Sequence, residues 1–172
     1  MTARLLIVWH SRTGAAEQMA QALADGAAAA LVEMAACEQV TIVRQPAADT
    51  TADDLRQAHG FVFCAPENLA TVSGEMKAFF DRCYYPVLDQ LAGRPYALAI
   101  SAGSDGSGAA RQMTRICTGW RLQAVAEPLI VNLGAQTPEQ ILAPKTIGAP
   151  ARTECLNLGG LLAATLALSQ PG

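Results

Sequence analysis

A chain of 172 residues is long enough to close one full hydrophobic core, and 51% hydrophobic against 16% charged residues is the balance of a globular domain. Twelve basic against fifteen acidic side chains leave a net charge of −3, which offers no general attraction to nucleic acid or to an anionic membrane. The five cysteines (Cys37, Cys64, Cys83, Cys117, Cys155) include no C-x-x-C pair, and only His10 and His59 add imidazole. Zinc sites and disulfide frameworks need tighter clusters, so the expectation is no metal and five buried or half-buried reduced thiols. No apolar run reaches the roughly 18 residues of a membrane span, and the N-terminal MTARLLIVWHS turns polar too quickly for a signal peptide. The expected location is the cytoplasm.

Taken in chain order, RLLIVWH (4–10) is a continuous apolar run, as in a strand covered on both faces. The loop HSRTGAA follows. From Gly14 to Met34, the residues Met19, Leu23, Ala27, Ala30, Leu31 and Met34 recur at helical spacing, with Gly26 a weak point between them. VTIVRQ (40–45) reads as a second strand, and Thr51 with Asp54 offers a capping box to a short helix. FVFCA (61–65) is a third strand, closed by Pro66. Met76, Phe79, Phe80 and Cys83 then share one face of a helix with Ser73 as its expected N-cap, and Pro86 must kink or end it. YALAI (96–100) is a fourth strand, followed by the loop SAGSDGSG, a helix over AARQMTRICTGWRLQ, and a fifth strand, PLIV (128–131). Residues 132–150 form a Gly/Pro-rich connection with one short turn at PEQIL. The apolar helix TECLNLGGLLAATLAL closes the chain, with Gly159 and Gly160 expected to permit close packing on the sheet. Five apolar strands joined by helices imply one α/β domain over residues 1–172, a parallel sheet with helices on both faces.

In such sheets ligands bind outside the carboxyl ends of the strands, where the strand order switches. Three unusual loops fall there: HSRTGAA, APENLATVSG and SAGSDGSG. In the first, the hydroxyls of Ser11 and Thr13 and the amides around Gly14 suit a phosphate at a helix N-terminus, with Arg12 either adding charge or pointing into solvent. An ordinary cap by Ser11 or Thr13 accounts for the same residues equally well. Neither a Walker A motif nor G-x-G-x-x-G occurs. In the second loop Glu67 and Asn68 offer polar groups to a planar ligand, and in the third the small residues let backbone approach a flat ring. A solvated surface loop is the alternative for the third.

HSRTGAAEQMA is similar to the S/T-x-T-G-x-T phosphate loop of the flavodoxin-like flavoproteins, in particular the small NAD(P)H-dependent FMN reductases and quinone reductases. PENLATVSGEMKAFFDR resembles that family's P-x-x-x-x-x-x-S-G-x-x-K-x-F-x-D-R segment, and GRPYALAISAGSDGSGAARQM its fourth strand and glycine loop. The resemblance implies a flavodoxin-like three-layer α/β/α fold with a five-stranded parallel sheet in the order 2-1-3-4-5. It implies FMN, with its phosphate on Ser11, Arg12, Thr13, Gly14, Ala15 and Ala16. The isoalloxazine would lie between residues 66–72 (Pro66, Glu67, Asn68, Leu69) and residues 101–106 (Ala102, Gly103, Ser104, Asp105, Gly106). By the same resemblance the function is an oxidoreductase passing electrons from NAD(P)H to a quinone or similar small acceptor, with no side chain acting as acid, base or nucleophile. A non-enzymatic electron carrier, or a binding module without FMN, are the alternatives, and a homodimer is compatible with the family. Arg82, Arg111 and Arg115 are candidates for nicotinamide phosphates, or plain helix-surface arginines. Two positions depart from the family pattern. Ala16 stands where the last phosphate-loop hydroxyl is usual, and Leu69 and Ala70 where a ring-stacking aromatic is common.

Overall fold

The computed structural model describes residues 2–169. Along the chain run β1 (Ala3–Trp9), α1 (Ala15–Glu33), β2 (Val40–Pro46), α2 (Ala52–Gln57), β3 (Gly60–Asn68), β4 (Thr71–Val72), α3 (Gly74–Tyr84), β5 (Pro95–Ala102), α4 (Ser107–Gly119), β6 (Gln123–Ala124), β7 (Leu129–Asn132), α5 (Pro138–Leu142) and α6 (Ala149–Leu168). The capping box predicted from Thr51 and Asp54 forms at the start of α2. At Pro86 the helix α3 gives way to a 3-10 turn over Tyr85–Val87, because proline cannot supply the amide that would continue it.

The strands pair in parallel in the order β2-β1-β3-β5, and β6 and β7 both pair with β5 at the far edge. The flavodoxin-like order is therefore present, with β5 as the fourth strand and the fifth position divided. The sheet has seven strands and not five. The two extra elements are β6 and the short antiparallel β4, which folds back on β3. The second was hidden because its two-residue turn is Leu69-Ala70. Both residues take positive φ (51° and 63°), a conformation that normally calls for asparagine or glycine.

Each face of the sheet carries its own core. On one side Phe63 packs with Phe79, Phe80 and Trp120 at ring-centroid distances of 5.1–6.1 Å. On the other, α1 and α6 cover Leu5, Ile7 and Val62. The glycines of α6 act differently from expectation: Gly159 serves a helix–helix crossing, not helix–sheet packing. A Cβ on Gly159 would lie 1.9 Å from the Leu23 carbonyl oxygen of α1, and one on Gly26 would lie 2.0 Å from the Leu156 oxygen of α6. Gly26 is thus the partner surface that lets two alanine-rich helices meet backbone to backbone.

Four cysteines are buried as expected, but Cys37, in the turn after α1, is exposed. Burial pushes the Cys64, Cys83, Cys117 and Cys155 thiols up from their ordinary range, which keeps them protonated and inert. Among the described residues no helix is long and apolar enough to cross a membrane.

Candidate functional site

The strands β1, β3 and β5 end side by side, so the three loops leave the sheet together. An open cleft of about 390 Å³ lies between them. It brings together Arg12 and Thr13 from the first loop, Pro66, Glu67 and Asn68 from the second, and Ser101, Ala102 and Gly103 from the third. Ser11, Gly14, Ala15, Ala16, Leu69, Ser104, Asp105 and Gly106 do not line it.

In the first loop the N-cap of α1 is Gly14, in the left-handed region at φ 101°, and no side chain caps the helix. The Ser11 hydroxyl oxygen instead accepts the Gly14 amide at 3.1 Å, which turns the loop. The capping alternative is thereby excluded. Ala15 and Ala16 are buried (2% and 0% exposed), and among the described residues their amides meet no acceptor. A buried amide without a partner costs about 1–3 kcal/mol. An anion seated at this helix start would satisfy such donors and meet the positive end of the dipole. Ala16 belongs to the core through its Cβ, and its carbonyl accepts the Cys64 thiol at 3.3 Å.

The connection after β7 is a strap across this loop. The Lys145 amide donates to the Thr13 carbonyl at 2.7 Å, and the Gln18 side chain donates to the Gly14 and Lys145 carbonyls at 3.0 and 2.7 Å. The Ile147 amide closes the circuit on the Gln18 oxygen at 3.2 Å. The Lys145 ammonium is held by the carbonyls of Gln140, Ile141 and Ala143 at the end of α5. Lys145, Ile141, Leu142, Leu133 and Ala135 complete the cleft wall. None of the five was singled out in the sequence. The one available hint was the capped turn TPEQIL, whose capping box is formed by Thr137 and Gln140.

The second and third loops are bound to one another. The Glu67 carboxylate accepts the Gly106 amide at 2.9 Å and the Ala109 amide at 3.0 Å, so it caps α4 across the gap between β3 and β5. Past Glu67, the Gln112 side chain accepts the Val72 amide at 2.8 Å, and a Cβ on Gly108 would stand 2.1 Å from the Ala70 oxygen. These contacts fasten the β3–β4 hairpin to α4 and aim Leu69 outward, 91% exposed. The glycines of the third loop likewise serve the protein's own packing: a Cβ on Gly103 would meet the Ala135 oxygen at 2.7 Å. The Ser104 carbonyl accepts from Asn132 at 2.5 Å. Hydrogen bonds from the Ser107 hydroxyl and amide hold the Asp105 carboxyl below the usual carboxylate range.

His10 joins the first two loops. Its Nδ1 is 2.8 Å from the Ser73 hydroxyl, and its Nε2 faces Glu75 at 3.5 Å. Ser73 therefore stands at the N-cap of α3, but its side chain turns to His10 and not to the helix. Burial holds the imidazole below its ordinary pKa, opposed by Glu75 and aided by Arg12. With His10 neutral, Nδ1 accepts from the hydroxyl and Nε2 carries the proton. Arg82 donates to the Ala47 and Thr50 carbonyls, and Arg111 and Arg115 lie on α4 outside the cleft.

The chain is 27% identical over 105 residues to a flavodoxin of Aquifex aeolicus, covering 61% of this chain and 53% of that protein. It is 32% identical over 92 residues to an NAD(P)H dehydrogenase (quinone) of Acidithiobacillus ferrooxidans, covering 46% of each. The chain thus spans about half the length of the curated relatives it matches. A solved flavodoxin from the domain Archaea superposes with a TM-score of 0.73 at 16% identity, over 95% of this chain and 98% of the other, a likeness of fold. The model of the NADPH-dependent FMN reductase family matches residues 10–136, well over half the chain, and the chain belongs to that family.

Proposed function

We propose that the cleft holds FMN, its phosphate at the start of α1 and its ring between Pro66–Asn68 and Ala102–Gly103, and that the protein passes electrons from NAD(P)H to a quinone or similar small acceptor. The observation that carries this reading is the uncapped N-terminus of α1, with buried amides on Ala15 and Ala16 that meet no acceptor among the described residues. The residues present fit a phosphate: the Ala15 and Ala16 amides buried at the start of α1, and the Thr13 hydroxyl and Arg12 cation on the cleft wall. Each hydrogen bond to a charged group contributes roughly 1.5–3 kcal/mol, so the amides offset the hydroxyl absent at Ala16. FMN supplies the redox chemistry. The chain binds and orients it, with Leu133, Ile141 and Leu142 as an apolar wall of the cleft.

The test is NADPH and NADH oxidation by FMN-loaded protein with and without 1,4-benzoquinone. Rapid quinone-dependent consumption of either nucleotide is expected. A loaded protein that draws electrons from neither would refute the enzyme and leave an electron carrier.

A further inference from the structure

The far edge of the sheet is interrupted beside α4. There β6 pairs with Pro95 and Tyr96 of β5, and β7 pairs with Ala99 to Ala102. Four residues, Val125 to Pro128, consequently stand opposite two, Ala97 and Leu98. The surplus swings out of the ladder as a bulge, and Pro128 has no amide to return to it. The excursion opens a second cavity of about 370 Å³ that reaches Tyr96 and Leu98, walled by Arg111, Thr114 and Arg115 of α4 and by Glu127 and Pro128. It shares no lining residue with the cleft described above. At the rise of an extended chain, Tyr96 lies about 16 Å down β5 from Ser101.

Three side chains of the cavity carry polar groups that the fold leaves unpaired among the described residues. Tyr96, 4% exposed, lines the cavity, and among the described residues its hydroxyl has no hydrogen-bond partner. Burial, with Cys117 and Glu127, pushes that hydroxyl up to about 12, so it stays a donor. Arg111 and Arg115 stand one helical turn apart on the same wall, and neither forms an ion pair among the described residues. Planar guanidinium forks suit a carboxylate, while Leu98, Ala110 and Pro128 give an apolar bed for a ring. The Glu127 carboxylate on the opposite wall works against a dianion.

We infer that this cavity binds a small aromatic monocarboxylate, its carboxylate between Arg111 and Arg115 and a polar oxygen of its ring accepting from the Tyr96 hydroxyl. The probe is 6-hydroxy-2-naphthoate, followed by its fluorescence with protein as purified, beside its methyl ester and 2-naphthyl phosphate. One probe per chain is expected, the ester binding at least about tenfold more weakly and the phosphate no tighter than the acid, at about 1.4 kcal/mol per tenfold. Arg111→Gln and Arg115→Gln, both at exposed positions, should each weaken the probe severalfold, and Tyr96→Phe likewise, with the circular dichroism spectrum unchanged. The inference is overturned if the ester binds as well as the acid, if the double Arg111→Gln/Arg115→Gln variant binds like wild type, or if FMN displaces the probe competitively.

Discussion

Replacing Glu67 by alanine tests whether the second and third loops are one mechanical unit. The carboxylate accepts two backbone amides at the start of α4, at 2.9 and 3.0 Å, and no serine, threonine or asparagine side chain caps that helix. Hydrogen bonds to a charged group contribute roughly 1.5–3 kcal/mol each when buried. Glu67 is only half-buried, so solvent screening and water reaching the freed amides bring the pair to about 2 kcal/mol. Glu67→Ala should therefore lower the urea-unfolding free energy by about 2 kcal/mol. At 2–4 °C per kcal/mol for a chain of this size, the melting temperature should fall by about 4–8 °C. Glu67→Gln keeps the shape and one acceptor oxygen, and should recover about half of the loss. Unfolding followed by far-UV circular dichroism measures both. If Glu67→Ala stays within about 0.5 kcal/mol of wild type, the carboxylate does not cap α4 in solution and the account of the hairpin is wrong.

Gly159→Ala places a Cβ against the Leu23 carbonyl at a point where a Cβ would stand 1.9 Å away. Helix propensity favours alanine by about 1 kcal/mol, yet two backbones must separate, so a net loss of about 2 kcal/mol is expected by chemical denaturation; a stabilised variant would show that the helices do not cross there. His10 sets a pH dependence. Its pKa is lowered in the fold, so below about 6.5 the unfolded chain takes up a proton that the native state refuses. The His10 contribution to stability is thus complete above that pH and lost as pH falls toward the native pKa. His10→Asn should flatten the urea midpoint between about pH 7 and pH 5 relative to wild type, and an unchanged slope would assign the pH dependence to other groups.

Where a residue's neighbours in sequence also decided its environment, the site was legible. The apolar runs marked β1, β3 and β5, and residues of all three loops singled out in the sequence line one cleft. Long-range contacts were not legible. Leu69-Ala70 carries no turn chemistry, and its left-handed backbone persists because α4 grips the hairpin through Glu67, Gly108 and Gln112. Lys145 reaches the loop after β1 only through a strap that closes on Thr13 and Gln18, more than a hundred residues away in sequence. The glycines of SAGSDGSG were expected to let backbone approach a flat ring, and the structure gives their small size another use. Their small size accommodates Ala135 and Ala70 of the protein itself, and only Gly103 borders the cleft.

The central claim is that the open N-terminus of α1 holds a phosphate. Titrating the purified, flavin-free protein with FMN and with riboflavin, by quenching of flavin fluorescence, tests it directly, because the two differ only in that group. Two or more charged hydrogen bonds of roughly 1.5–3 kcal/mol each correspond to at least about a hundredfold preference. The account predicts one FMN per chain with riboflavin weaker by that factor or more. Equal affinity for the two, or no binding of either, would contradict it.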